Sequence, residues 1–512
     1  MNSVTNNVTT KVDVRFLQKD ETHLIIQTSD YGIDQELSDY FSFFMDGYKF
    51  SPKFRQGIWD GKIRLFDIRY KKLPKGLLKV AIKFCKDRNY TFDIDPLLNP
   101  KTYFNEKEIT DWVDSIEVST RGKQIDVRDY QLDAILQSLR YYRNLLISPT
   151  SSGKSLILYY KVRYHIDILQ HNVVLIVPTT QLVEQLYSDF KDYSEVNGWD
   201  VDEYTQLLYS GKEKLFTKQL MISTWQSLAA MSKFHPDKFK HICETTDVLC
   251  LDEAHQFKSD VTLATANKFY RAKWRTGTTG TLDDSKINKL QLIGIMSEPY
   301  QVITTRQLMD QKSVVNLDIK VCKLEYPNWL KEQLYGMDYK AEINYLVTYE
   351  PRNKFIADLA KNTKGVTLVL YTYIEKHGAV LDKLIRDICP NRTVKFIHGG
   401  VDVDDREAVR KIAETDPNCI IIASSAIFST GTNIPSIENV IFAMPTKSTI
   451  RVRQSIGRGL RLRDGKTKCT LFDVADDLSM KSYSNTTLRH MFHRIEIYEK
   501  EQFDFSVHKI DI

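Results

Sequence analysis

Residues 148 to 155 read Ser-Pro-Thr-Ser-Ser-Gly-Lys-Ser. A Gly-Lys-Ser tail ends the pattern G-x-x-x-x-G-K-[ST], in which backbone N–H groups at a helix start cradle phosphate oxygens. In that chemistry Lys154 neutralises the β- and γ-phosphates, and the Ser155 hydroxyl offers a ligand to Mg²⁺. Ser148 stands where the pattern has its first glycine. A bare G-K-[ST] arises by chance in roughly one chain in four of this size, so the surrounding residues must decide. Ninety-eight residues after Lys154, the run Val-Leu-Cys-Leu ends in Asp252-Glu253-Ala254-His255. A strand-end Asp is placed to hold Mg²⁺, and the adjacent Glu is placed to take a proton from an attacking water. That tetrapeptide is expected by chance in well under about 1% of such chains.

Two further groups fit the same chemistry. Gln454, Gly457, Arg458 and Arg461 spell Q-x-x-G-R-x-x-R. Arginines three apart share one helix face and suit the charge that develops on a γ-phosphate. Upstream, Arg128, Tyr130 and Gln131 precede the Gly-Lys-Ser loop. A Gln amide matches the N6 and N7 edge of adenine, and Tyr130 is placed to pack near the base, which favours ATP over GTP.

These residues need elements to hold them. Asn-Leu-Leu-Ile-Ser leads into the loop, followed by a run of helical spacing, Ser155 to Leu169. From about residue 119, short apolar runs alternate with amphipathic ones, and the alternation restarts after about residue 310. Continuous apolar strands alternating with helices predict parallel sheets covered on both faces. The expected fold is α/β, with two such domains in tandem. Expected boundaries are an aromatic, basic α+β region at 1–118, α/β domains at 119–310 and 311–480, and a helical tail at 481–512. In the first region Phe41, Phe43, Phe44 and Phe66 are expected to fill a small core. In the tail, Leu488, Met491, Phe492 and Ile495 are spaced as one apolar stripe.

Composition excludes several classes. At 512 residues, 42% hydrophobic and 27% charged, the chain has the make-up of a multidomain globular protein. No apolar run approaches eighteen residues and no basic-then-apolar leader is visible, so neither membrane insertion nor export is expected, and a cytoplasmic location is. Asn7-Val8-Thr9 is then a chance sequon. Seven singly scattered cysteines suit a reducing compartment. A zinc reading of His241, Cys243, Cys250 and His255 is set aside, because a strand and its loop account for the last two. The net charge of +5 is uneven: Lys49 to Arg88 holds thirteen Lys and Arg against three Asp, leaving −5 for the rest. Such a block predicts a polyanion partner. Within it, Trp59, Lys62 and Arg64 lie on a Gly- and Asp-rich turn where a ring can stack on bases and cations can hold phosphates.

Arg128-x-Tyr130-Gln131, the loop beginning at Ser148, "VPTTQLVEQ", "STWQSL", "DEAH", "GTTGT", "STGTNIP" and "QSIGRGLR" occur in the order found in superfamily 2 DEAH-box helicases. In that superfamily the first loop glycine is commonly replaced, so Ser148 is a mark of the class. The stretches "FFMDGYKFSPKFRQGIWDGKIRLFD" and "HRIEIYEKEQFDF" extend the likeness to phage UvsW-type recombination helicases. The resemblance implies two RecA-like domains, with ATP and Mg²⁺ as cofactors. It places Ser148, Pro149, Thr150, Ser151, Ser152, Gly153, Lys154, Ser155 and Gly431 at the nucleotide. Thr179, Thr180, Thr224, Trp225, Gln226, His398, Gly399 and Thr430 are placed on the nucleic acid, and Thr279 and Thr281 where hydrolysis is coupled to movement. It further implies a motor in the host cytoplasm that unwinds or branch-migrates forked and branched DNA in recombination, repair and replication restart. Single-strand/duplex junctions, RNA–DNA hybrids, and single-strand-binding or recombination proteins are its expected partners. The alternatives are an ATP-gated duplex sensor and a restriction-type translocase that separates no strands.

Overall fold

The computed structural model describes residues 12–98, 100, 103–210, 216–282, 285–398, 403–425, 434–444, 448–463 and 465–512. The side chains of 403–407, 449–451, 454 and 458 stand outside that description. Two compact units result: one runs to Val302 without Pro149–Ser152, and the other takes that segment and Ile303–Ile512.

The first unit is built on a seven-stranded parallel sheet. Across the sheet its strands run Thr205–Leu208, Leu220–Thr224, Val173–Val177, Val248–Leu251, Trp274–Thr279, Arg143–Ile147 and Pro299–Gln301. Side chains alternate between faces along a strand. Accordingly Val173, Leu175 and Val177 enter one apolar cluster, while Val174 and Ile176 enter another on the opposite face. All five of these residues are fully buried, which is why the run reads as continuously apolar.

The second unit repeats the plan with its own seven parallel strands. Their order is Val394–Ile397, Ile420–Ser424, Val366–Tyr371, Ile437–Phe442, Lys468–Asp477, Asn316–Glu325 and Phe505–Asp511. Numbered along the chain, both sheets follow the order 3-4-2-5-6-1-7. The two α/β domains expected from the alternation are present, each a RecA-like sheet.

The N-terminal region forms a four-stranded mixed sheet: Lys72–Pro74, His23–Thr28, Val14–Gln18 and Phe92–Ile94. Phe41 and Phe66 fill its core as expected, but Phe43 is only half-buried and Phe44 is 52% exposed. Those two lie on the separate hairpin Ser42–Phe44/Lys62–Arg64, whose short strands leave one face uncovered. The core of this region continues into Ile293 of the helix Lys286–Ile295, which belongs to the first large domain. Gly76 makes that approach feasible, because a Cβ there would collide with the Ile293 carbonyl oxygen. Arg143 pins the same junction, donating to the carbonyls of Ile295 (2.6 Å) and Glu21. Burial lowers its guanidinium pKa to about 10. The helix Glu106–Asp114 sends Ile109 and Val113 into the core of the large sheet.

The tail differs from the expected stripe. The helix Thr486–Lys500 buries Leu488, Met491, Ile497 and Tyr498, and leaves Phe492 53% exposed. Arg494 sets that rotation. It is fully buried and donates through Nε to Asp473 (2.9 Å), whose other oxygen lies 2.8 Å from Nη2, and Tyr498 Oη donates to the same carboxylate (2.9 Å). After the helix the chain adds the strand Phe505–Asp511 beside Asn316–Glu325, a strand that a largely exposed run does not announce. Removing one partner of a buried ion pair strands the other charge. Arg494→Ala is therefore expected to destabilise the second unit by about 3–5 kcal/mol, seen as a lowered urea midpoint. A midpoint equal to wild type would show that Asp473 is compensated elsewhere.

Candidate ATP site and nucleic-acid surface

The strand Arg143–Ile147 delivers the chain to Ser148, whose N–H donates to the Thr279 carbonyl (2.8 Å) on the neighbouring strand. The turn that follows needs left-handed backbone at Ser151 (φ 69°) and Gly153 (φ 81°). A Cβ at Gly153 would also collide with Gln131 Nε2, so that side chain would have to move. The helix Lys154–Arg163 then begins, with the Gly153 carbonyl accepting from Leu156 N (3.0 Å) and Ile157 N (3.2 Å), and its start carries the positive end of the helix dipole. Ser152 closes the loop on itself, its hydroxyl donating to the Pro149 carbonyl (2.7 Å).

Lys154 Nζ donates back to the Ser148 carbonyl (3.1 Å). Asp252 follows the end of the strand Val248–Leu251 and receives the Thr278 hydroxyl at 2.7 Å. Burial and then the Glu253 charge push the Asp252 carboxyl pKa up, while Lys154 and the Thr278 hydrogen bond pull it back. Glu253 sits in left-handed backbone (φ 48°), sparsely populated for a non-glycine residue and a place where strain is held by a well-determined surrounding.

His255 entered the sequence reading as the last residue of D-E-A-H and as a rejected zinc ligand, with no role of its own. In the structure it is buried, with Nδ1 2.9 Å from Thr279 Oγ1 and 3.4 Å from Glu253 Oε2. Because the Thr279 hydroxyl donates to the Thr281 carbonyl (2.8 Å), its oxygen is left to accept from Nδ1–H, which fixes the tautomer. The imidazole thus links the expected proton acceptor to the threonines assigned to coupling. The signal was the His closing D-E-A-H; nothing in its spacing to Thr279 announces the contact.

Upstream, Gln131 is buried and its side-chain oxygen accepts the Arg128 backbone N–H (3.0 Å), capping the helix Asp129–Arg140. Arg128 Nη1 donates to Tyr130 Oη (3.0 Å). Arg461 follows the helix Thr449–Gly459 and is half-buried. The side chains of Gln454 and Arg458, and residues Gly399, Thr430 and Gly431, lie outside the described residues.

Among the residues placed on nucleic acid, Thr179 and Thr224 each cap a following helix, accepting from Leu182 N (3.3 Å) and Ser227 N (3.2 Å). Their hydroxyls serve the helix starts, while Thr180 and Gln226 are exposed. Trp225 and His398 are half-buried, the latter with its ring 5.4 Å from that of Phe396. On the N-terminal hairpin, Trp59 Nε1 donates to the Lys62 carbonyl (2.8 Å), and Lys62 Nζ lies 5.2 Å from the centre of the Phe44 ring. Arg64 grips Asp60 with both terminal nitrogens, at 3.2 and 2.5 Å, and those bonds with the Lys62 N–H lower the Asp60 pKa to about 2. No described helix is long and apolar enough to cross a membrane.

Comparison with known proteins agrees with this geometry. Three family models match: "DNA helicase UvsW, N-terminal" at residues 12–95, "Type III restriction enzyme, res subunit" at 124–284 and "Helicase conserved C-terminal domain" at 351–463. The chain is 30% identical to the ATP-dependent DNA helicase uvsW of Enterobacteria phage T4, over 98% of this chain and 100% of that one. It is 23% identical to the putative ATP-dependent helicase IRC3 of Saccharomyces cerevisiae, covering 71% and 53% of the two chains. The crystal structure of T4 UvsW is similar at a TM-score of 0.52 and 28% identity, over 98% and 99% of the chains. The DNA-bound helicase MrfA shares the fold alone, at 14% identity and a TM-score of 0.52 over 76% and 50%. With the Ser148–Ser155 loop, the Asp252–Glu253 pair and two RecA-like sheets in one chain, the protein belongs to the UvsW family of superfamily 2 helicases and is an ATP-dependent DNA helicase.

Proposed function

We propose that this helicase remodels forked and branched DNA, as in recombination, repair and replication restart, with ATP hydrolysed at the Ser148–Ser155 loop. Asp252 and Ser155 supply hard oxygen donors of the kind Mg²⁺ takes. A carboxylate made less acidic by desolvation and by the Glu253 charge beside it is one that a cation would relieve, so the donor set fits the ion. When bound, Mg²⁺ supplies positive charge against the β- and γ-phosphate oxygens. Lys154 adds a second cation, and the helix start adds N–H donors. Glu253 takes the proton of the attacking water, held in place by the His255 imidazole. Gln454, Arg458 and Arg461 act as the arginine-finger set, so hydrolysis removes the group they hold.

The observation that carries the branched-DNA reading is the hairpin lobe between Ser42 and Arg64. Phe44, Phe50 (77% exposed) and Ile58 (71%) stand in solvent among Lys49, Lys53 and Arg55. Exposed rings between cations suit unpaired bases and backbone phosphates together. Replacing both Lys62 and Arg64 by Ala is expected to weaken fork binding and flatten its salt dependence by about one unit for each phosphate no longer gripped. Arg64 already pairs with Asp60, so Lys62 is expected to carry the larger share. ATPase at saturating single-stranded DNA should persist. Strand displacement on forked duplex, measured beside fork affinity over a salt series, checks both parts. An unaltered salt slope removes the hairpin from the DNA interface. DNA-stimulated ATPase without any displaced strand would identify a duplex-bound sensor or translocase instead.

A further inference from the structure

We propose that Tyr193 is a positioning residue that sets the Ser155 hydroxyl for Mg²⁺, an inference that rests on the ATP-site reading above. A serine hydroxyl that ligates a cation turns a lone pair to the ion and must send its proton to another acceptor. Tyr193 Oη lies 2.8 Å from Ser155 Oγ and is placed to be that acceptor. The phenol is fixed by its surroundings rather than free to swing: Tyr193 is 9% exposed, and its ring meets that of Tyr159 edge-on at 5.5 Å. Tyr159 belongs to the same helix as Ser155, one turn further on, so the two helices hold hydroxyl and acceptor in register. Groups that orient a metal ligand typically change metal affinity by about 10–100-fold when removed.

The test is Tyr193→Phe in the full-length chain, which keeps the ring and deletes only the oxygen. Binding of a fluorescent, non-hydrolysable ATP analogue is followed over a Mg²⁺ titration. Half-saturating Mg²⁺ is expected to rise about tenfold, while analogue affinity in EDTA stays at the wild-type value. Tyr159→Phe is the matched control: its hydroxyl pairs with Ser194 Oγ (2.8 Å) and Arg163, so Mg²⁺ dependence should not move. Equal shifts in both variants would overturn the proposal in favour of general packing, and no shift in Tyr193→Phe overturns it outright. Ser155→Ala separates the underlying reading: if it too leaves Mg²⁺ dependence unchanged, Ser155 is not a ligand and both ideas fall. A measurement that leaves the hydroxyl in place covers poor folding of the Phe variant. The ¹⁹F resonance of 3-fluorotyrosine incorporated at Tyr193 should shift when Mg²⁺ is added to the analogue-bound protein, and an unmoved resonance counts against the proposal.

Discussion

Lys154→Ala is expected to lower DNA-stimulated ATP hydrolysis by about 10²–10³-fold or more, the loss typical of one preorganised charge-stabilising donor in a dry site. Its ammonium is the first side chain of the helix Lys154–Arg163, tethered to the Ser148 carbonyl and close enough to Asp252 to pull that carboxyl's pKa down. Alanine removes the cation and keeps a residue of high helix propensity, so the fold should persist. DNA binding through the N-terminal hairpin should persist as well. The readings are steady-state ATPase with single-stranded DNA, fork affinity and a melting curve. Near-normal hydrolysis would mean that the loop from Ser148 does not hold the transferred phosphate.

Glu253→Gln should separate binding from turnover. Gln matches Glu in size, so the left-handed turn and its approach to the His255 ring should be kept. An amide, however, takes no proton from water, and loss of a general base costs roughly 10²–10⁴-fold. The variant is expected to bind ATP with wild-type affinity, hydrolyse it hardly at all in a single turnover, and stay trapped on DNA. Rapid-quench measurement with enzyme in excess reads the chemical step directly. A wild-type rate there would remove Glu253 from the proton transfer and leave His255 without a catalytic group to position.

The parts that were legible in the sequence are those where one local rule acts alone. Val173–Val177 could be read as a doubly covered strand because every side chain in it is apolar, and Lys154 could be placed at a helix start because the strand, loop and helix are contiguous in sequence. The parts that escaped depend on pairs distant in sequence. Arg494 looks solvent-facing until Asp473, across the core, turns it inward, and that pairing sets which face of the tail helix is buried. His255 and Thr279 meet only because their strands are neighbours in the sheet. Phe44 has the same composition signal as Phe41, yet one lies on an uncovered hairpin and the other in a core. The strand Phe505–Asp511 is held by backbone hydrogen bonds on an edge, where side-chain pattern carries little information.

Gly76, Ile293 and the half-buried Arg143 have a consequence for anyone cutting or grafting this chain. At the seam they make, the apolar interior of the N-terminal sheet is completed by a helix encoded some two hundred residues downstream. A fragment ending before the motor would expose that interior, and a motor stripped of its first hundred residues would leave the Arg143 guanidinium without the Glu21 carbonyl it now holds. Chimaeras that exchange this region between relatives should therefore carry the helix Lys286–Ile295 with it. Inheritance of the two pieces is constrained in the same way, since a substitution at Ile293 is felt in a sheet encoded some two hundred residues upstream.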